Sequence, residues 1–201
     1  MFSVPGLLVF VLEGPNCTGK SFVSRLVFAR LSGLRFTFLK EPERREHGLD
    51  RESLVRLFLE ERFRHSMLMV SRAVLNPGLH VFLLDRYHMS SIVYNYMLVD
   101  DPAIRRMVET ATRFIVRPTR VFVLVPSEDT LDTWTENCER QDGTLLRRAY
   151  ESYLNVENVL DRLANGECNG RIEYLRVDGT IPTYRRIAEH ITHYIMSSVR
   201  A

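Results

Sequence analysis

The chain has 201 residues, 45% of them hydrophobic, which suits one domain with a sizeable core and is short for two. Its formal net charge of +2 is too close to neutral to mark a nucleic-acid binder by electrostatics alone. Three widely spaced cysteines, Cys17, Cys138 and Cys168, have neither metal-ligand spacing nor a disulfide framework, and the opening apolar run is too short to cross a bilayer or serve as a secretory signal. A single domain over residues 1–201 in a reducing cytoplasm is therefore expected, with no membrane partner. Basic residues are almost all arginine, whose planar fork grips phosphate bidentately, although a GC-rich coding sequence is the simpler cause of the bias; Lys20 and Lys40 are the only lysines.

Taken in chain order, Leu7–Leu12 is a short continuous apolar run, the mark of a strand buried on both faces. A helix is predicted from Lys20 to about Leu31, and a second strand over Arg35–Leu39. The spacing of Leu54, Leu57, Phe58, Phe63, Leu68 and Val74 predicts one apolar face of a helix over Leu54–Leu75, stopped by Asn76-Pro77-Gly78. His80–Leu84 reads as a third strand ending at Asp85, followed by helices over Ser90–Leu98 and Pro102–Ile115. Val121–Val125 is a fourth strand, after which Ser127 can cap a helix whose first turn carries Glu128 and Asp129. A helix over Leu145–Leu163, a strand over Ile172–Val177 and a helix over Thr183–Met196 complete the chain. Short apolar strands alternating with helices predict an α/β fold: a five-stranded parallel sheet flanked by helices in three layers. Functional groups of such folds gather at the carboxyl ends of the strands.

The sharpest residues fall at those ends. Gly14-Pro15-Asn16-Cys17-Thr18-Gly19-Lys20-Ser21 fits G-x-x-x-x-G-K-[ST], between an apolar strand and a helix. Two glycines let the backbone wrap a phosphate chain, and loop amides with a helix N-terminus make an anion cradle. Lys20 is expected on the β- and γ-phosphates of ATP, and Ser21 on Mg²⁺. Cys17 reads as a small filler. The third strand runs into Asp85-Arg86-Tyr87, with Ser90, Ser91 and Tyr94 beyond. Asp85 can hold Mg²⁺ and Arg86 can clamp an acceptor phosphate, against a plain Asp–Arg ion pair as the simpler alternative.

Together with Lys40-Glu41-Pro42-Glu43-Arg44 and Leu57-Phe58 with Arg62, these segments resemble the thymidylate kinase family, over residue 7 to about 180. The resemblance implies a P-loop kinase fold using ATP and Mg²⁺. It places Lys20, Asp85, Arg86 and a lid arginine, Arg140, in the catalytic set, with Arg147 and Arg148 as neighbouring candidates in a lid over 137–148. It places Arg44, Arg62, Arg86, Tyr87 and Tyr94 on the acceptor nucleotide, puts Asp178-Gly179-Thr180 near the adenine, and implies a homodimer. The chain departs from the pattern in four ways: Asn16 stands where many members carry an Asp that contacts the sugar 3′-hydroxyl, Phe22 replaces a usual Thr, Glu43-Arg44 replaces a common glycine pair as in a subset of the family, and the lid is short and lacks the usual arginine-rich repeat.

These departures open a second reading. Some viruses carry related kinases that phosphorylate 5-hydroxymethyluracil within DNA, and a neutral Asn16 suits an acceptor whose 3′-oxygen is esterified. In that case Arg105, Arg106, Arg113, Arg117 and Arg120 would meet backbone phosphates and Tyr87, Tyr94 and Tyr96 would stack on an extruded base. Such an enzyme would be viral, acting in DNA modification in the host cytoplasm. Those residues also fit a solvated helix and a core. From another class, a nucleotide-binding regulator that transfers nothing would have no need of the Arg86 clamp. The histidines His47, His65, His80, His88, His190 and His193 show no metal-site spacing, and Trp134 reads as core or a subunit contact.

Overall fold

The structure, a computed structural model, describes residues 1–31, 36–40, 49–137, 143–163 and 171–200. Arg44, Arg140, Cys138, Cys168, His47 and residues 138–142 of the expected lid lie outside the described residues.

Strands β1 (Leu7–Glu13), β2 (Phe36–Lys40), β3 (His80–Asp85), β4 (Arg120–Pro126) and β5 (Ile172–Val177) form one parallel sheet in the order β2-β3-β1-β4-β5. The α-helices are α1 (Lys20–Leu31), α2 (Arg51–Leu75), the single turn α3 (His88–Ser91), α4 (Pro102–Arg113), α5 (Glu128–Asn137), α6 (Gly143–Leu163) and α7 (Ile181–Arg200). The α/β class and parallel sheet expected from the sequence are observed. Side-chain alternation along β1 makes the three layers. Val9 and Val11 join Phe82, Leu84, Met69, Val108 and Tyr153 on one face, and Phe10 and Leu12 join Leu83, Phe122, Val23, Val27 and Ile191 on the other. Helix starts follow side-chain chemistry: Asp50 Oδ1 accepts from Ser53 N at 2.9 Å, and Asp101 Oδ1 accepts from Ala103 N at 2.8 Å and Ile104 N at 3.2 Å, with Pro102 at the first helical position.

Two elements differ from the sequence reading. The buried face of α2 is Val55, Arg62, His65, Ser66 and Met69, whereas Phe63, Leu68 and Val74 are exposed. Hydrophobic spacing misjudged this helix because its core-facing stripe carries Arg62, His65 and Ser66 between Val55 and Met69, and Ser66 is well partnered inside. Ser66 Oγ donates to Arg62 O at 3.0 Å, meets the Tyr87 hydroxyl at 2.5 Å and accepts from Val116 N at 3.2 Å. The segment expected as one α-helix over Ser90–Leu98 is instead the turn α3 continuing into a π-helix over Ile92–Met97, closed by Leu98 N donating to Val93 O at 3.1 Å. π-helical turns are rare and cluster at functional sites.

The two faces of α2 predict opposite outcomes. Ser66→Ala strands the Tyr87 hydroxyl and the Val116 amide and is expected to cost about 1–3 kcal/mol, whereas Val74→Ser on the exposed face should stay within about 0.5 kcal/mol. Urea denaturation of the two variants checks this.

Candidate functional site

Everything turns on where β1 ends. Glu13 is fully buried. At Gly14, with φ +136°, an added Cβ would run into the Leu124 carbonyl of β4, so only glycine can occupy this bend. The loop then curls through Cys17 at φ +65° and Gly19 at φ +77°, and Gly19 O starts α1 by accepting from Phe22 N and Val23 N, each at 3.0 Å. A Cβ at Gly19 would sit 2.6 Å from the Tyr184 ring of α7, which closes the loop from behind. Lys20 is buried, its ammonium donating to Pro15 O and to Thr18 Oγ1 at 3.2 Å, while Thr18 Oγ1 itself donates to Pro15 O at 2.9 Å. This is an anion cradle with its cation folded against the loop's own oxygens.

Asp85 ends β3 in register with Leu12 on one side and Lys40 on the other. Ser21 Oγ donates to Asp85 Oδ2 at 2.9 Å, so the loop's hydroxyl and the strand-end carboxylate share one point. Hard oxygen donors of this kind fit Mg²⁺. Among the described residues no group of three or more His, Cys, Asp or Glu is placed to hold a metal ion.

Arg86 follows at φ +70°, a left-handed conformation costly for a side chain. Its guanidinium donates to Ser90 Oγ at 2.9 Å, to Tyr153 OH at 3.5 Å and to Asn16 Oδ1, and lies 5.6 Å from the Tyr94 ring centroid. Glu13 braces the turn. Its Oε1 accepts from Tyr87 N at 2.7 Å and Ser90 N at 3.3 Å, and its Oε2 accepts from Ser90 Oγ at 2.5 Å and Tyr153 OH at 3.2 Å. Burial and the Glu13 charge push the Tyr153 phenol well above its usual range, so it stays a donor.

The structure thus brings Gly14 to Ser21, Asp85, Arg86 and Tyr94 together. It turns Tyr87 away: that side chain is fully buried, its hydroxyl against Ser66 on α2, with burial raising its pKa. Arg62 is buried on α2, close enough for its charge to act on Tyr87 and His88. Arg147 is exposed and pairs with Asp132, joining α6 to α5, and Arg148 is exposed too. Trp134 packs against both core clusters, and its indole passes 3.4 Å from where a Gly179 Cβ would be. Arg117 and Arg120 lie at the amino-terminal end of β4, opposite the phosphate loop, and Arg120 is bound to Glu173 at 2.9 Å. Arg105 pairs with Asp100 at 3.4 Å. The sequence reading gave Glu13 and Tyr153 no role. A carboxylate closing an otherwise unbroken apolar strand was the one available signal, since such a charge is expensive to bury without donors.

No family model and no curated protein sequence matches the chain. Its fold is that of thymidylate kinases. The enzyme from Ehrlichia chaffeensis aligns with a TM-score of 0.65 at 16% identity, over 93% of this chain and all of that one. The enzyme from Candida albicans aligns with a TM-score of 0.66 at 16% identity, over 95% of this chain and 92% of that one.

His88, next to this turn, supplies a pH prediction. Burial first, then the charges of Arg62 and the chain's amino terminus, holds its pKa at about 3 against an ordinary 6.5. Below 6.5 the unfolded chain takes up a proton that the folded chain refuses. The stabilisation is therefore complete above 6.5 and is lost as pH falls toward 3, by up to about 1.4 kcal/mol per pH unit. Urea midpoints at pH 7.5, 6 and 5 should fall more steeply for the parent than for His88→Gln; parallel slopes would remove His88 as the cause.

Proposed function

We propose that the protein is an ATP-dependent nucleotide kinase that moves the γ-phosphoryl group of ATP to a thymidylate-like deoxynucleotide. The observation that carries the reading is the convergence on one sheet end of a closed phosphate loop, the Ser21–Asp85 pair and the Arg86 guanidinium. A sensor needs the first two and not the third.

In this mechanism the loop amides of residues 14–21 and Lys20 hold the donor phosphates, Lys20 exchanging the Pro15 carbonyl and Thr18 hydroxyl for phosphate oxygens. Ser21 and Asp85 would hold Mg²⁺, which when bound neutralises charge on the transferring group. Arg86 grips the acceptor phosphate and fixes its distance from the donor, with Tyr94 beside it. Little covalent chemistry falls to the protein; alignment and fixed charge supply the rate. Arg44 and Arg62 complete the acceptor side in this reading, and Arg140 in a lid over 137–148 supplies further charge to the phosphoryl oxygens. The reaction belongs in the cytoplasm, the host's if the source is viral.

Asn16 favours one competing acceptor. Its neutral side chain, with the carbonyl oxygen taken by Arg86, suits an esterified 3′-oxygen and so a modified thymine base in DNA. The positions of Arg117 and Arg120 at the amino-terminal end of β4, and of Tyr87 in the core, lend that acceptor no support. The subunit arrangement we propose is a homodimer. Phe63, Met67 and Phe114 are 49, 51 and 59% exposed, and Phe63 and Phe114 border an apolar groove of about 460 Å³ between α2 and α4 with Leu59, Ala111 and Ile115.

Labelled ATP, Mg²⁺ and either free deoxynucleoside monophosphates or DNA carrying thymine or 5-hydroxymethyluracil decide the acceptor. Label is expected on a thymidylate-like monophosphate. Label on DNA alone would replace that acceptor, and tight ATP binding without transfer to any of them would leave a regulator. Lys20→Ala should lower transfer by at least about 10³-fold. Sedimentation should show a dimer that Phe63→Glu dissociates; a monomeric parent would refute the assembly.

A further inference from the structure

We propose that Tyr153 on α6 and Glu13 at the end of β1 are positioning residues for Arg86, and that they set the enzyme's affinity for the phosphate of its acceptor while leaving donor binding alone. This rests on the reading that Arg86 grips that phosphate.

The argument starts from Arg86 itself. A long guanidinium side chain carries about 2 kcal/mol of rotamer entropy, and here it projects from a left-handed residue at a strand end. Something must hold it. Asn16 and Tyr94 touch it from the side of the site. The support behind is a closed ring of donors and acceptors: Arg86 to Ser90 Oγ and Tyr153 OH, Ser90 Oγ and Tyr153 OH to Glu13 Oε2, with Ser90 Oγ and Tyr153 OH 3.0 Å apart. Glu13 and Tyr153 are fully enclosed. In so dry a place each bond is strong and each missing one is costly. The Tyr153 ring stands edge-on to Tyr94, 6.3 Å between centroids, so the same residue also sets the wall on which Arg86 rests. Tyr153 lies ten residues along α6 from Gly143, about 15 Å of helix. The start of that helix is tied to α5 by the Arg147–Asp132 pair. The support of the acceptor clamp is therefore borne by the helix whose start is tied to α5.

Tyr153→Phe removes one hydroxyl and keeps the ring. The acceptor KM is expected to rise about tenfold, with the ATP KM unchanged within about twofold. Thymidine, which lacks the phosphate, should bind the variant as it binds the parent. Glu13→Gln keeps an oxygen for the Tyr87 and Ser90 amides but turns an N–H toward two donors, and should give the same split. A third readout needs no acceptor. Phenylglyoxal modification of Arg86, mapped by mass spectrometry, should be severalfold faster in Tyr153→Phe, with the melting temperature recorded beside it. Unchanged Arg86 labelling, or a loss shared equally by ATP, thymidine and the monophosphate, would overturn the proposal. If the parent phosphorylates no free monophosphate, the acceptor reading fails while the labelling comparison still decides the role of Tyr153.

Discussion

The site depends on one buried charge. Glu13 closes β1 at the centre of the sheet, where no solvent reaches it, and accepts from two backbone amides and two hydroxyls that all belong to other parts of the chain. A carboxylate in such surroundings costs several kcal/mol unless its lone pairs are filled. Filling them fixes the turn after β3 and orients α3, whose first amides point at an anion as a helix N-terminus prefers. It also places Asp85 beside Ser21 and Arg86 beside Asn16. The left-handed backbone at Arg86 is sustained by those bonds, because strain of that kind persists only where its surroundings over-determine it. The curled loop of residues 14–21 and the ordered Arg86 side chain are thus two consequences of one strand end.

Steric exclusion does the complementary work. Gly14 has no room for a Cβ against β4, and Gly19 has none against Tyr184. The loop is squeezed between a strand on one side and α7 on the other, so its curvature is set before any ligand arrives. Preformed amides cost no reorganisation when a phosphate binds, which is where electrostatic catalysis gains its advantage over water.

Much of this could be read from the sequence, for a definite reason. Buried parallel strands are continuous apolar runs, and Leu7–Glu13, His80–Asp85 and Arg120–Pro126 are apolar apart from Glu13, His80, Asp85 and Arg120. Glycine and lysine at fixed offsets then announce the loop. What escaped reading were contacts that reverse the usual meaning of a residue type. On α2 the polar Arg62, His65 and Ser66 face in while Phe63 and Leu68 face out, so hydrophobic spacing points the wrong way. Tyr87 sits within a motif yet serves the core, because its hydroxyl finds Ser66 on α2. Nothing local marks Tyr153, since its meaning comes from residues 63 and 140 positions away in the chain.

The inverted polarity of α2 and the network around Glu13 have a common logic. In the proposed reaction arginines meet a phosphate dianion and must be ordered before it binds. Exposed arginines would be solvated and mobile, contributing little. Arg86 is instead 9% exposed and Arg62 1%, and the Arg86 guanidinium is held by the Ser90 hydroxyl, the Asn16 amide oxygen and the face of Tyr94. A guanidinium tolerates this because its charge is spread over a weakly hydrated plane, where a lysine ammonium would lose more on leaving water. In the proposed reading Lys20 supplies a compact point charge for the donor phosphates, and Arg86 a preordered planar fork that holds the acceptor phosphate at a fixed distance and angle.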